Sequence, residues 1–150
     1  MEIYERFYRQ FEFIECHLLP KQISFSGALR NHGIENATGE LITYLDTDDK
    51  LGKNHLQIIA DNIGEHEWVW YDDYLLNMRY LQKVNPSELK YGKCGTSNIT
   101  HKRDMPVRWC KTGYSFDDWG FVQELMKHSN YAKISTPEYI VCHQPERIDV

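Results

Sequence analysis

Three aspartates at positions 46, 48 and 49 stand in the stretch LDTDDKLG (45–52), at the end of the apolar run ELITYL. If that run is a buried strand of a parallel sheet, the aspartates follow its carboxyl end, where such sheets bind ligands. Two carboxylates spaced i and i+2 hold Mg²⁺ or Mn²⁺ through oxygen and leave metal positions open for a diphosphate. The pattern predicts Asp48 as the direct metal ligand and Asp46 as the group that holds a ribose or a metal-bound water. Asp49 fits the start of the next helix equally well.

The same aspartates also fit simpler structures, because acids that follow a strand often form a polar turn or cap a helix. An EF-hand calcium loop is excluded by spacing, since Lys50 and Leu51 stand where that loop needs an oxygen ligand and a glycine. A haloacid-dehalogenase-type phosphatase also places D-x-D after a buried strand. That family has Thr or Val at the position of Lys50, and its aspartate strand normally opens the domain, so it is the weaker rival.

Periodicity and turn residues predict alternating strands and helices within a single domain spanning 1–150. The predicted helices cover 2–10, 24–40, 54–64 (with Asn54 as its cap) and 117–129. The predicted strands cover 11–19, 40–46, 67–77 and 94–104, followed by extended chain over 131–144. The segment 78–93 is rich in turn residues and has no clear periodicity. This alternation favours an α/β fold with a mainly parallel sheet flanked by helices.

Charge and cysteine content narrow the functional classes. The net charge is −5 and no run of Lys or Arg is present, which argues against a nucleic-acid partner. The four cysteines, at positions 16, 94, 110 and 142, form no C-x-x-C pair and are interpreted as reduced, mostly buried thiols of a cytoplasmic protein. No apolar run approaches the roughly twenty residues that span a bilayer. The chain is therefore expected in the cytoplasm or at the periphery of a membrane.

The segment ALRNHGIENATGELITYLDTDDKLGKNHL (28–56) resembles the middle of a family-2, GT-A-type glycosyltransferase. That family typically reads A-R-N-x-G-I, then A-x-G-E and an apolar residue, then L-D-x-D-D. The matching residues, all in the family's order, are Arg30, Asn31, Gly33, Ile34, Ala37, Gly39, Glu40, Asp46, Asp48 and Asp49. The resemblance implies that Arg30 and Asn31 contact the donor. One departure is Gly52-Lys53, where the family usually has an apolar residue and proline.

Two later segments extend the resemblance. YSFDDWGFVQEL (114–125) resembles the family's acid-Asp-Trp helix start, which implies Asp118 as the catalytic base, with Asp117 in the preceding acid position and Trp119 against the acceptor. An inverting transfer needs such a carboxylate to take the proton of the acceptor hydroxyl. YIVCHQP (139–145) resembles a late strand whose histidine, here His143, completes the metal site.

Two weaker correspondences follow from the same resemblance. Gly95 and Thr96 would lie near the acceptor. The acid pair Asp72 and Asp73 either lines the cleft or ends a strand, and the strand-end interpretation is favoured.

The resemblance covers only the later part of the family's domain. The β-α-β unit that holds the nucleotide base in such enzymes has no counterpart before EIYERFYRQFEFIECHLL, so an amino-terminally truncated domain is expected. Without that unit, strand 40–46 would expose an apolar edge, which natural proteins avoid. Either another chain covers this edge, or the chain is truncated, or the sheet is rearranged. A homo-oligomer or a partner chain that pairs near 11–19 or 40–46 is therefore expected.

The activity implied by the resemblance is metal-dependent, inverting transfer of a sugar from a nucleotide-sugar donor. The acceptor would be a hydroxyl on a glycan or a lipid-linked carrier, and the cofactor would be Mn²⁺ or Mg²⁺. The alternative is a non-catalytic remnant that binds a sugar or a partner chain.

Overall fold

The computed structural model describes residues 13–19, 26–77, 81–110, 117–134 and 138–142. Its helices are α1 (Ser26–Asn36), α2 (His55–Ile63) and α3 (Asp117–Leu125), with a 3₁₀ turn at Thr96–Asn98. Its strands are β1 (Leu41–Thr43), β2 (Lys50–Leu51), β3 (Trp68–Tyr71), β4 (Asp73–Asn77), β5 (Leu81–Asn85), β6 (Ile99–Lys102), β7 (Tyr131–Ile134) and β8 (Tyr139–Cys142). The predicted α/β class is confirmed.

The strands form two four-stranded sheets. One has the order β1-β6-β3-β7 and the other has the order β2-β8-β4-β5. Pairings β3/β7 and β4/β8 are parallel, whereas the four remaining pairings of the described strands are antiparallel. The expectation of a mainly parallel sheet is corrected here, because β6 runs back between β1 and β3 and because β4 and β5 form a hairpin.

Two long segments of the chain contribute to both sheets. The predicted strand 67–77 breaks at Asp72, so that β3 belongs to the first sheet and β4 to the second. The predicted extended segment 131–144 divides in the same way into β7 and β8. The two segments pair in parallel twice, once in each sheet, and this places the carboxyl-terminal strand β8 beside the residues that follow β1.

Helices cover both faces of the first sheet. Adjacent residues of a strand point to opposite faces, and Trp68 and Val69 of β3 accordingly belong to two different core clusters. The Trp68 cluster includes Ile34 of α1 and Phe121 of α3. The Val69 cluster includes Ile59 of α2. The layers therefore fix α1 and α3 on one face of β3 and α2 on the other.

Several local predictions need correction. Residues 13–19 form no strand, because Phe13 and Ile14 of the alternating pattern are exposed instead of buried. The undefined segment 78–93 contains β5, and α1 ends at Asn36, four residues before the end of the predicted helix 24–40. The side chain of Asn54 makes no cap hydrogen bond to α2 and binds Glu138 instead.

The edge of the first sheet bears on the expected partner chain. Among the described strands, β1 pairs with β6 alone and lies at one end of the sheet. Pairing of this edge with another chain stays a prediction. Within the described ranges, no helix combines the length and apolar character needed to cross a bilayer.

Candidate active site

A cleft of about 410 Å³ lies where the aspartate turn, the 3₁₀ turn and the start of α3 meet. The predicted site residues that line it are Asp46, Gly95, Thr96, Asp118 and Trp119, and Asp49 joins them. The structure therefore gathers residues from separate parts of the predicted motif set. Asp117 opens α3, and His143 lies outside the described residues.

The aspartates after β1 form a tight turn. The backbone N–H of Asp49 donates to the carbonyl of Asp46 at 3.0 Å, which is the closing bond of a β-turn. Asp46 and Asp49 face the cleft, while Asp48 is exposed at the turn and is not among the residues that line the cleft. The turn thus directs two of the three aspartates into the cleft and leaves Asp48 outside it.

Asp49 is held by β8. Its Oδ2 accepts a hydrogen bond from the Tyr139 hydroxyl at 2.8 Å, and its Oδ1 accepts one from the Cys142 N–H at 2.9 Å. Burial, together with the adjacent Asp49 carboxylate, raises the pKa of Tyr139 above its usual range, so the phenol stays a donor. The interpretation of Asp49 as a helix-start residue is wrong, because α2 begins only at His55.

Arg30 bridges two carboxylates, the one that the sequence assigns to the sugar-nucleotide site and the one that it assigns to the catalytic base. Its Nη2 lies 3.3 Å from Oδ1 of Asp46, and its Nη1 lies 3.1 Å from Oδ1 of Asp118. The guanidinium also lies over the ring of Trp109, with Cζ 4.4 Å from the ring centroid. A planar, permanently charged group with a fork of donors suits such a bridge.

Asn31 has a different place from the one predicted. It is buried, its Nδ2 donates to the Trp109 carbonyl at 2.9 Å, and its Oδ1 accepts from the Trp109 N–H at 2.8 Å. The amide is thereby committed to the backbone under Arg30 and does not reach the cleft. Asn31 positions the aromatic ring on which the Arg30 guanidinium lies.

Asp118 lies in the first turn of α3 and its side chain is 50% exposed. Its Oδ1 accepts a hydrogen bond from Thr96 Oγ1 at 2.8 Å in addition to the bond from Arg30. A Cβ on Gly95 would lie 3.2 Å from Oδ2 of Asp118, so the missing side chain lets the 3₁₀ turn approach the carboxylate closely. The carboxylate is thus oriented through one oxygen and remains accessible to solvent.

A second, buried carboxylate supports the turn that carries Thr96. Asp73 is 3% exposed, and its Oδ2 accepts hydrogen bonds from Ser97 Oγ at 3.0 Å and Asn98 Nδ2 at 3.2 Å. Asn85 Nδ2 donates to its Oδ1 at 2.8 Å. The strand-end interpretation fits Asp72, which follows β3, but misses this role of its neighbour. The sequence signal for this role was an acid pair, Asp72 and Asp73, in a run that is otherwise mostly apolar.

Cys94 also lines the cleft, and its protonation state limits its chemistry. Burial, together with the nearby Asp73 and Asp118 carboxylates, raises the pKa of the Cys94 thiol to about 12. A thiol with so high a pKa stays protonated near neutral pH and is a poor nucleophile. Cys94 is therefore not proposed as a nucleophile of the cleft. Of the other cysteines, Cys142 is buried, whereas Cys16 and Cys110 are exposed.

The carboxylate oxygens at the aspartate turn are ligands of the kind that hard divalent cations prefer. Within the described ranges, no group of three His, Cys, Asp or Glu residues is arranged to hold a metal by itself. Mg²⁺ is commonly held by one or two carboxylates together with substrate phosphates, so a complete protein cage is not required. Asp46 provides an oxygen of that kind within the cleft, and the exposed carboxylate of Asp48 lies in the same turn but does not line the cleft. The ligand set stays a prediction.

The family model for glycosyl transferase family 2 matches residues 3–110. The chain belongs to this family. The fold is also that of two solved structures, both of residues 1–349 of S. aureus TarS. The first aligns with a TM-score of 0.73 and 19% identity over 93% of this chain. The second, a complex with UDP-GlcNAc, aligns with a TM-score of 0.73 and 18% identity over 97% of this chain.

The family-2 chain spans about half the length of the TarS structures, since each alignment covers 46% of the TarS chain. No curated protein sequence matches it significantly. The predicted GT-A type of fold is confirmed by the structural likeness.

Proposed function

We propose that this cleft transfers a sugar from a nucleotide-sugar donor to a hydroxyl acceptor, with inversion at the anomeric carbon. The observation that carries the proposal is the Arg30 bridge, which brings Asp46 of the aspartate turn and Asp118 of α3 to opposite ends of one guanidinium. Transfer requires a donor subsite and a general base close to one reacting carbon, and the bridge supports the proposal by bringing the aspartate turn and Asp118 close together.

Asp118 is proposed as the general base. Arg30 and Thr96 both donate to its Oδ1, and these two bonds fix the orientation of the carboxylate. Oδ2 is then the oxygen that takes the proton of the acceptor hydroxyl as that hydroxyl attacks the sugar. The nucleoside diphosphate leaves from the opposite face, which gives inversion.

The donor diphosphate is proposed to lie at the aspartate turn. Family membership supports a nucleotide sugar, and the TarS complex makes UDP-GlcNAc the first donor to test. Asp46 and Asp48, with His143, which follows β8 in the sequence, would hold Mn²⁺ or Mg²⁺. When bound, the cation would neutralise charge on the departing diphosphate.

The acceptor is proposed to enter beside α3. Gly95, Thr96 and Trp119 line the cleft next to Asp118, and an indole beside a base gives a sugar ring a flat surface to stack on. A hydroxyl on a glycan or on a lipid-linked carrier fits this proposal.

A binding screen tests the proposal directly. The chain is titrated with UDP-GlcNAc and with other UDP-, GDP- and TDP-sugars, with and without Mn²⁺, while sugar transfer and release of free diphosphate are measured. Binding of one nucleotide sugar in the presence of metal, with transfer that requires Asp118, is expected. Binding without any turnover in the presence of acceptors would favour the non-catalytic alternative, and an absence of binding up to millimolar donor would overturn the proposal.

A further inference from the structure

A network of four hydrogen bonds holds the aspartate turn. The N–H of Asp46 donates to the Tyr139 hydroxyl at 3.2 Å, and that hydroxyl donates to Asp49 Oδ2 at 2.8 Å. The N–H of Asp49 returns to the carbonyl of Asp46 at 3.0 Å. The other oxygen of Asp49 accepts from the Cys142 N–H at 2.9 Å. Both ends of the turn are thereby tied to β8.

The chain after the turn is tied to the same strand. Lys50 and Leu51 of β2 pair with Ile140 and Tyr139 of β8. The N–H of Gly52 donates to the carbonyl of Glu138 at 2.6 Å. A Cβ on Gly52 would lie 2.6 Å from Cβ of Glu138, so only glycine permits this approach without displacing the backbone. This contact gives a physical reason for the Gly52 departure from the family pattern.

We infer that Asp49 and Tyr139 are positioning residues, which lock the aspartate turn onto β8 and thereby fix the positions of the Asp46 and Asp48 carboxylates relative to the donor site. Both carboxylate oxygens of Asp49 accept hydrogen bonds from β8, so Asp49 acts on the site through the backbone of its neighbours. In naming a diphosphate and a metal at that site, the inference rests on the proposed function; the locking of the turn does not.

Tyr139 separates this inference from the simpler view that Asp49 is a metal ligand. Tyr139 is fully buried in the core cluster that contains Ile59 and Val69, and its hydroxyl alone reaches the turn. If Asp49 bound metal directly, removal of that hydroxyl would leave the carboxylate in place and the affinity nearly intact. If the hydrogen bonds of the Tyr139 hydroxyl position the turn, Tyr139→Phe must weaken metal binding although it removes no carboxylate.

The experiment compares wild type with Tyr139→Phe, Asp49→Asn and a matched control, Tyr71→Phe. Tyr71 is buried in the same core cluster, but its hydroxyl contacts the Ile99 carbonyl, Thr100 and Thr43 of β1, and it makes no described hydrogen bond to the aspartate turn itself. Amide hydrogen exchange at Asp46 and Cys142, the thermal midpoint, and the affinity for Mn²⁺ in the presence of UDP are measured for each.

Tyr139→Phe is expected to speed exchange at the Asp46 amide and to weaken Mn²⁺·UDP binding by roughly 10- to 100-fold, the usual effect of losing a group that orients a metal site. Asp49→Asn is expected to speed exchange at both amides, whereas Tyr71→Phe should lower the thermal midpoint without either change. Wild-type exchange at Asp46 in Tyr139→Phe would overturn the inference, as would a loss of Mn²⁺ affinity confined to Asp49→Asn. Failure of the wild type to bind Mn²⁺·UDP would count against the proposed function, while exchange would still decide the positioning role.

Discussion

Arg30 and Asp118 are 88 positions apart in the sequence, yet Nη1 of the arginine lies 3.1 Å from Oδ1 of the aspartate. The second arm of the same guanidinium reaches Asp46 at 3.3 Å. Arg30 is only 18% exposed, and its plane is held over Trp109. The geometry of the base is therefore coupled to the geometry of the aspartate turn through one side chain.

Replacement of Arg30 by lysine tests this coupling. Lysine keeps the charge but cannot bridge two carboxylates with a planar fork, so one of the two contacts must be lost. Loss of one hydrogen bond to a charged group is expected to reduce transfer by roughly 10- to 100-fold. Steady-state kcat and KM for the donor measure the effect. Unchanged values for both would show that the bridge has no part in the reaction.

Asp118→Asn tests the base itself. The amide keeps the size of the carboxylate and still accepts from Thr96, but it cannot take a proton. Transfer is expected to fall by about 10²- to 10⁴-fold, with donor affinity unchanged. Thr96→Val is a useful companion variant, because it removes one donor to the carboxylate and leaves the base present. A parallel loss of donor binding in Asp118→Asn would instead indicate a structural role.

Asp48→Ala tests the predicted metal ligand. Asp48 is exposed, so its removal should leave the fold intact while abolishing the metal-dependent part of nucleoside diphosphate binding. Asp61→Ala is the matched control, since Asp61 is an exposed aspartate on α2 whose Oδ1 accepts a hydrogen bond from Gln57. Calorimetric titration of Mn²⁺ in the presence of UDP gives the comparison. Equal affinities in wild type and Asp48→Ala would show that the turn binds metal through other groups.

The sequence was informative where a motif reports a fixed relation between a strand and the loop that follows it. Asp46 and Asp118, which line the same cleft, could be predicted to lie near each other because the order and types of the residues around them match a known pattern. The Asp49–Tyr139 contact could not be assigned in this way, since it depends on the register of β8 against β2. A break such as the one at Asp72 decides which sheet a residue joins, and local periodicity contains no information on that choice.

Buried polar groups were equally hard to predict. His101 lies in β6, where Ile99 and Thr100 are buried as well, and both of its ring nitrogens are hydrogen-bonded. Its Nδ1 lies 2.8 Å from the Lys102 carbonyl, which can only accept, so Nδ1 carries the proton. Its Nε2 then accepts from the Tyr44 hydroxyl at 2.7 Å, and Tyr44 in turn accepts from Trp109 Nε1 at 3.1 Å. The network runs through the core to the ring that supports Arg30.

The same network predicts how stability depends on pH. Burial lowers the pKa of His101 to about 4, whereas an unfolded histidine titrates near its ordinary value of 6.5. Between these values the unfolded state binds more protons than the folded state, so the free energy of unfolding rises with pH across the window. The stabilisation is fully present above about pH 6.5, is lost as the pH falls towards 4, and amounts to about 3 kcal/mol.

Urea unfolding of wild type and His101→Asn at several pH values between 4 and 7 measures this dependence. Asparagine can still donate to the Lys102 carbonyl but leaves the Tyr44 hydroxyl without its acceptor, so the variant should be less stable at pH 7. It cannot gain a proton, and its unfolding free energy should therefore vary less with pH in the window. Burial also lowers the pKa of His55, and this accounts for a residual slope in the variant. Identical pH dependence in the two proteins would show that folding does not lower the pKa of His101.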